Sequence, residues 1–219
     1  MTRSALSIMT LGLLLAACPA RAEDAPAQKR APPTSYTAIS PIFGQLVSFS
    51  TPIGFVPAFE NTKDAFYIRE AVPRGETAQQ WTQMITVTGA RGAATNPNFN
   101  AQGLAAAIAG GFKKACPETF AAKGFGATKF GAQDGFVAVA ACGKLTSSAD
   151  GHSETALIIA VKGSTDGYTI QWAERGPQQA AVAVIDEAKW QGRLRALTPI
   201  RLCPIVPGEA APYPSCVGN

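Results

Sequence analysis

The chain has 219 residues, a formal net charge of +4, 16% charged residues and one histidine. That length suits one domain with a substantial core. Its basic residues are scattered, with Lys113-Lys114 and Arg193/Arg195 the only small clusters, which excludes the concentrated basic face of a nucleic-acid binder.

The N-terminus reads as an export signal. Arg3 supplies a short positive region, Ala5 to Ala17 is apolar, and Ala20-Arg21-Ala22 fits the small-x-small rule. Cleavage between Ala22 and Glu23 makes residues 1–22 a signal peptide. The apolar stretch is shorter than the roughly 20 residues of a spanning helix, and no later run reaches that length. The mature chain is therefore expected not to be an integral membrane protein. "LLLAACPARAED" allows a second cut, before Cys18, which would take lipid and anchor the chain to a membrane. Pro19 after that cysteine, and the acidic pair Glu23-Asp24 after the first site, favour the soluble periplasmic form. Lipid attachment at Cys18 is the alternative.

Residues 23–40 hold Ala, Pro and charge without periodicity at their start and read as a flexible lead-in. The folded domain is expected over residues 41–202. Leu46–Ser50 suits a first strand, and "FVPAFENTKDAFYIREAV" suits two strands joined near Asn61–Asp64. "WTQMITVTG" alternates as a further strand. Asn100 can cap a helix from Ala101 to about Ala115, with Leu104, Ile108 and Phe112 on one side and Cys116 continuing that row. Pro117 ends it. Asp134-Gly135, Asp150-Gly151 and Asp166-Gly167 recur at equal spacing, and Asp-Gly favours tight turns. Between and after them lie "FVAVAACGKLT", "SETALIIAVKG" and "YTIQWAERG", which predict a three-stranded antiparallel meander. "ALIIAV" lacks polar alternation, so its strand should be central and covered on both faces. Pro177 then suits the first position of a closing helix from Gln178 to about Ala196. Its inner side would carry Ala181, Val184, Ile185 and Ala188, widened by Trp190 and Leu194. "TPIRLCP" could add an edge strand before the tail, residues 203–219.

Four cysteines remain after the signal: Cys116, Cys142, Cys203 and Cys216. An even number in an exported chain predicts disulfides. Three pairings are open, and the favoured one, Cys116–Cys142 with Cys203–Cys216, keeps partners close along the chain. Each bond would close a loop of about 14 to 27 residues and contribute roughly 3 kcal/mol in the chain-entropy account.

The assembled order is hairpin, strand, helix, meander, helix, with no regular βαβ alternation. It predicts a single α+β domain with a mainly antiparallel sheet and two packed helices. On "FYIREAVPRGETAQQWTQMITVTG", the helix reaching Cys116, and "SETALIIAVKGSTDGYTIQWAER", residues 45–200 resemble the PsbP-like fold. That fold is shared by an extrinsic subunit of photosystem II and several bacterial envelope lipoproteins. The resemblance implies binding or supporting other proteins rather than catalysis.

No catalytic set stands out. "GHSET" departs from the Gly-x-Ser-x-Gly elbow at Thr155 and leads into a strand. His152 and Ser153 would point to opposite faces there, and His152 is expected in a solvated turn. "GFGATKFG" enters a strand rather than a helix, unlike a phosphate loop. Glu60, Asp64, Glu70 and Glu76 cluster near the first hairpin but are expected to be exposed. Trp81, Trp172 and Trp190 suit packing. With one histidine and no Cys-x-x-Cys, neither metal nor cofactor is expected.

The leading expectation is a non-catalytic exported protein that binds an envelope protein partner, as an assembly factor or inhibitor does. The alternative is a periplasmic binder of a small apolar ligand, held between sheet and helix near Phe112, Phe136 and Trp172.

Overall fold

A computed structural model describes residues 32–145 and 151–217. The signal peptide, the Cys18 lipid site, the Ala22/Glu23 cleavage site and the Asp150 turn position lie outside the described residues. From Pro33 onward the chain makes one compact unit.

Two antiparallel sheets account for most of it. Strands β3 (Phe55–Lys63), β4 (Phe66–Pro73), β5 (Gln83–Ala90), β6 (Phe120–Phe130), β7 (Gln133–Cys142), β8 (His152–Lys162) and β9 (Gly167–Pro177) form a seven-stranded sheet in the order β3-β4-β5-β9-β8-β7-β6. Strands β1 (Ser35–Ile42), β2 (Gln45–Pro52) and β10 (Arg201–Pro204) form a three-stranded sheet in the order β1-β2-β10. The helices are α1 (Ala101–Ala115), α2 (Glu187–Leu197) and the short α3 (Pro214–Val217).

The period of two sorts the large sheet into unlike faces. Val137, Val139, Leu157, Ile159, Tyr168, Ile170 and Trp172 point one way, onto Val47 and Phe49 of β2 and Trp190 and Leu197 of α2. Ala138, Ala140, Ala156, Ile158, Ala160 and Ala173 point the other way, under Ala101 and Ala105 of α1. Large residues leave room for a second sheet, whereas alanines let a helix backbone come close. Every residue from Ala156 to Val161 is at most 1% exposed, because β8 sits mid-sheet with a layer on each side.

Asn100 caps α1 by accepting from the Gly103 N–H at 2.7 Å. A buried clamp ties three turns together: the Asp166 carboxylate accepts from Gly92 N at 2.7 Å, Gly44 N at 3.0 Å and the Tyr168 hydroxyl at 3.1 Å. Burial raises that carboxyl, but the hydrogen bonds from Gly92, Gly44 and Tyr168 outweigh it and hold Asp166 below its ordinary value.

Four expectations need correction. The folded domain starts before residue 41, since β1 begins at Ser35, inside the expected lead-in. All of "GFGATKFG" but its last glycine lies within strand β6, and the following turn is at Gly131-Ala132, where Gly131 has φ 63°. Asp134-Gly135 is accordingly inside β7 and makes no turn. The closing helix spans only Glu187–Leu197, and Pro177 is the last residue of β9. Segment 178–186 instead donates from Gln179 N to the Gly143 carbonyl at 2.8 Å and from Ala183 N to the Thr119 carbonyl at 3.4 Å. Asp186 then starts α2 by accepting from Lys189 N at 3.1 Å. Val184, expected inside, is 92% exposed, and Ala181 and Ala188 are exposed as well.

Candidate binding groove

The structure joins Cys116 to Cys142, with Cα atoms 5.8 Å apart, and Cys203 to Cys216, with Cα atoms 5.7 Å apart. The first bond fastens the C-terminus of α1 to the end of β7. The second fastens α3 to β10, and Cys203 and Cys216 pack with Leu46 in a small apolar cluster of their own.

Phe112, Phe136 and Trp172 do not form one ligand site. Phe112 and Phe136 pack on the alanine face under α1, whereas Trp172 lies on the large-residue face, edge-on to Phe55 at 5.4 Å between ring centroids. Phe136 of β7 and Trp172 of β9 point to opposite faces, and Phe112 of α1 packs on the Phe136 side, so the sheet itself separates them from Trp172.

The remaining chemistry-bearing residues are also dispersed. His152 opens β8 half-buried rather than solvated, with Nε2 3.6 Å from Glu154 Oε2. Glu60 accepts from the Tyr67 hydroxyl at 2.8 Å, and Glu76 accepts from Thr82 N at 2.7 Å. Trp81, Trp172 and Trp190 are all core residues. Among the described residues, no group of three or more His, Cys, Asp or Glu could hold a metal, and no helix is long and apolar enough to cross a membrane.

A more spacious concavity lies elsewhere. A groove of about 1040 Å³ runs between β6, the β6–β7 turn, the C-terminal half of α2 and β10 with its stapled tail. Among the described residues, β6 and β10 are the last strands of their sheets. Phe130, Val137, Ile200 and Leu202 form its floor, and half-buried Phe125 and Leu194 its sides. A β-bulge supplies Phe125. Register runs from Gly124↔Ala138 to Gly126↔Val137, leaving Phe125 unpaired and packed against the large-residue core. Gly126 has φ 114°, a conformation open to glycine. Cys203, Ser215 and Cys216 make the far wall, so the second disulfide shapes the groove directly.

The rim is basic. Lys129 is paired with Asp134 at 2.5 Å. Elsewhere on α2, away from the groove lining, Arg193 and Lys189 both reach Glu174 of β9, at 2.6 and 2.5 Å. Arg195 and Arg201 border the groove and have no acidic partner among the described residues. An apolar trough with two uncompensated guanidinium groups can hold an apolar side chain and receive carboxylates as bidentate partners.

No protein-family model and no curated protein matches the chain. Solved structures do resemble it in outline. The Ran-binding protein Mog1p of Saccharomyces cerevisiae is 9% identical over 76% of this chain and 95% of that one, with a TM-score of 0.42. A mutant of the protein Mog1 is 9% identical over 75% of this chain and 86% of that one, at a TM-score of 0.37. A Bacteroides thetaiotaomicron VPI-5482 protein is 11% identical over 74% of this chain and 46% of that one, at a TM-score of 0.35. Likenesses of this strength carry no inference about what the present chain binds.

Proposed function

We propose that this chain is an exported, non-catalytic binding protein that takes an envelope protein partner into the groove. The partner places an apolar side chain on Phe125, Phe130 and Leu194, and acidic side chains on Arg195 and Arg201. The observation that carries this reading is the pair of arginines, without acidic partners among the described residues, above an apolar trough. Two open strand edges flank that trough and offer backbone groups to a polypeptide, which favours a protein segment over a free small molecule. Export is supported by the N-terminal signal pattern and by two disulfides, which persist in oxidising compartments. Mass spectrometry of the mature protein should find Glu23 at its N-terminus; an acylated Cys18 would replace the soluble form with the anchored one. The PsbP-like resemblance of residues 45–200 belongs to the same reading.

Selection from a displayed peptide library tests the groove chemistry. The selected peptides should combine acidic residues with a large apolar one. The Arg195→Glu/Arg201→Glu variant should bind them at least tenfold more weakly, about 1.4 kcal/mol, and should reverse the charge preference in a new selection. Peptides without acidic bias, or with affinity indifferent to the charge reversal, would refute the reading. Competition by palmitate with no peptide selected would instead identify an anionic amphiphile as the occupant.

A further inference from the structure

A second, smaller cleft lies on the other side of the seven-stranded sheet, in the part of the alanine face that α1 leaves open. It measures about 340 Å³ and is bounded by α1 at Phe112, by the 78–82 segment at Trp81, and by the sheet. Three polar side chains on its floor form one row across adjacent strands. Glu70 of β4 is opposite Thr86 of β5, and Thr86 is opposite Gln171 of β9. Residues opposite one another in register share a face, with Cβ atoms roughly 5 Å apart. The row thus brings together a carboxylate, a hydroxyl and an amide carbonyl.

The charges are unequally settled. Arg175 also lines the cleft, but its Nε donates to Glu154 at 3.2 Å and its guanidinium stacks on the Trp81 ring at 3.7 Å. Glu154 and Arg175 therefore neutralise each other. The Glu70 carboxylate forms no hydrogen bond and no ion pair among the described residues, although the residue is half-buried. Burial raises its carboxyl above the ordinary value, against the pull of Arg175. The Gln171 amide nitrogen donates to Thr169 Oγ1 at 3.3 Å, an orientation that leaves its carbonyl oxygen available as an acceptor.

We infer that this cleft binds a primary ammonium ion carrying a short apolar body. An ammonium has three donors and no acceptor, matching the three acceptors of Glu70, Thr86 and Gln171. Its charge balances the one carboxylate of the cleft that has no hydrogen bond or ion pair among the described residues. The apolar body lies against Met84 and Phe112, which border the same cleft. A cleft of this size, with polar side chains on its floor and Met84 and Phe112 at its border, suits a small molecule or one inserted side chain. A free amine and the lysine of another protein present the same chemistry. This site is independent of the groove on the opposite face.

The test is calorimetric titration of the full mature chain with n-pentylammonium, n-pentanol and pentyltrimethylammonium. The inference expects measurable binding of the first alone. Glu70→Gln should lower that affinity at least tenfold, while Arg195→Glu/Arg201→Glu leaves it unchanged. Glu70→Gln removes a half-buried charge that has no hydrogen bond or ion pair among the described residues, so the variant should fold, and its unfolding curve checks this. Nα-acetyl-lysinamide distinguishes the sources: binding equal to pentylammonium assigns the site to a protein lysine, and weaker binding to a free amine. Equal binding of pentanol or of the quaternary ion, or affinity unchanged by Glu70→Gln, would overturn the inference, as would no binding of any probe.

Discussion

Replacing both Cys203 and Cys216 by Ala tests whether the second disulfide builds the groove wall or merely decorates a chain end. The bond closes a loop with a sequence separation of 13. Loop-closure entropy for such a ring gives about 3 kcal/mol at room temperature. Apart from the small cluster of Tyr213 and Cys216 with Leu46, the segment is loosely held: Ile205 and Val206 are exposed, and α3 is one turn long. The local bonds that remain, such as Ser215 N to Glu209 Oε1 at 2.8 Å, lie within the tail and do not dock it. The variant should therefore lose about 3 kcal/mol in urea unfolding, and a Glu-specific protease should cut it after Glu209 while sparing the parent. Peptides selected on the parent should bind it more weakly, because the far wall is no longer held. A loss under about 0.5 kcal/mol, the size of an ordinary surface change, with an uncut tail, would refute the reasoning.

Three more outcomes follow from the packing. Asp166→Asn turns one accepting oxygen into a donor and leaves either Gly44 N or Gly92 N without its partner. It should cost about 1–3 kcal/mol. Because the folded Asp166 carboxyl sits below its ordinary value, its contribution is full above the unfolded value and drains as pH falls through the folded one. The parent should thus lose stability in acid more steeply than Asp166→Asn, as urea unfolding across that range would show. Gly143→Ala would set a Cβ 2.7 Å from the Ala181 carbonyl oxygen and 2.8 Å from that of Gln179, both backbone atoms. It should cost about 1–3 kcal/mol through strain and expose segment 178–183 to hydrogen exchange. Leu197→Ala should cost about 2–5 kcal/mol, whereas Val184→Ser should stay within about 0.5 kcal/mol, as thermal unfolding of the two would register.

Local signals with one strong meaning were legible. Asn100 before an i, i+4, i+8 row of Leu104, Ile108 and Phe112 marked α1 to the residue, because cap and period agreed. The unbroken "ALIIAV" marked a strand buried on both faces. The closing helix failed for a tertiary reason. Val184, Ile185 and Ala188 have helical spacing with Asp186, Glu187 and Lys189, but Gly143 and Thr119 offer backbone partners to the 178–183 segment, and the Asp186 cap restarts the count. Strand β6 was missed because "GFGATKFG" has no alternation to read: its bulge places Phe125 out of phase, and glycines hide the period. The groove could not be read for the same reason, since it needs both the β6 edge and β10, which only the finished fold brings to one groove. The Glu70–Thr86–Gln171 row depends on register between strands distant in sequence, which no local pattern encodes.

The central claim is that partners enter between β6, α2 and β10. Hydrogen–deuterium exchange with and without the tightest selected peptide measures this most directly. The account predicts added protection confined to Phe125–Gln133, Gln191–Arg195 and Thr198–Pro204, absent in the Arg195→Glu/Arg201→Glu variant. Protection on α1 or the β3–β4 hairpin, with the groove segments unchanged, would contradict it.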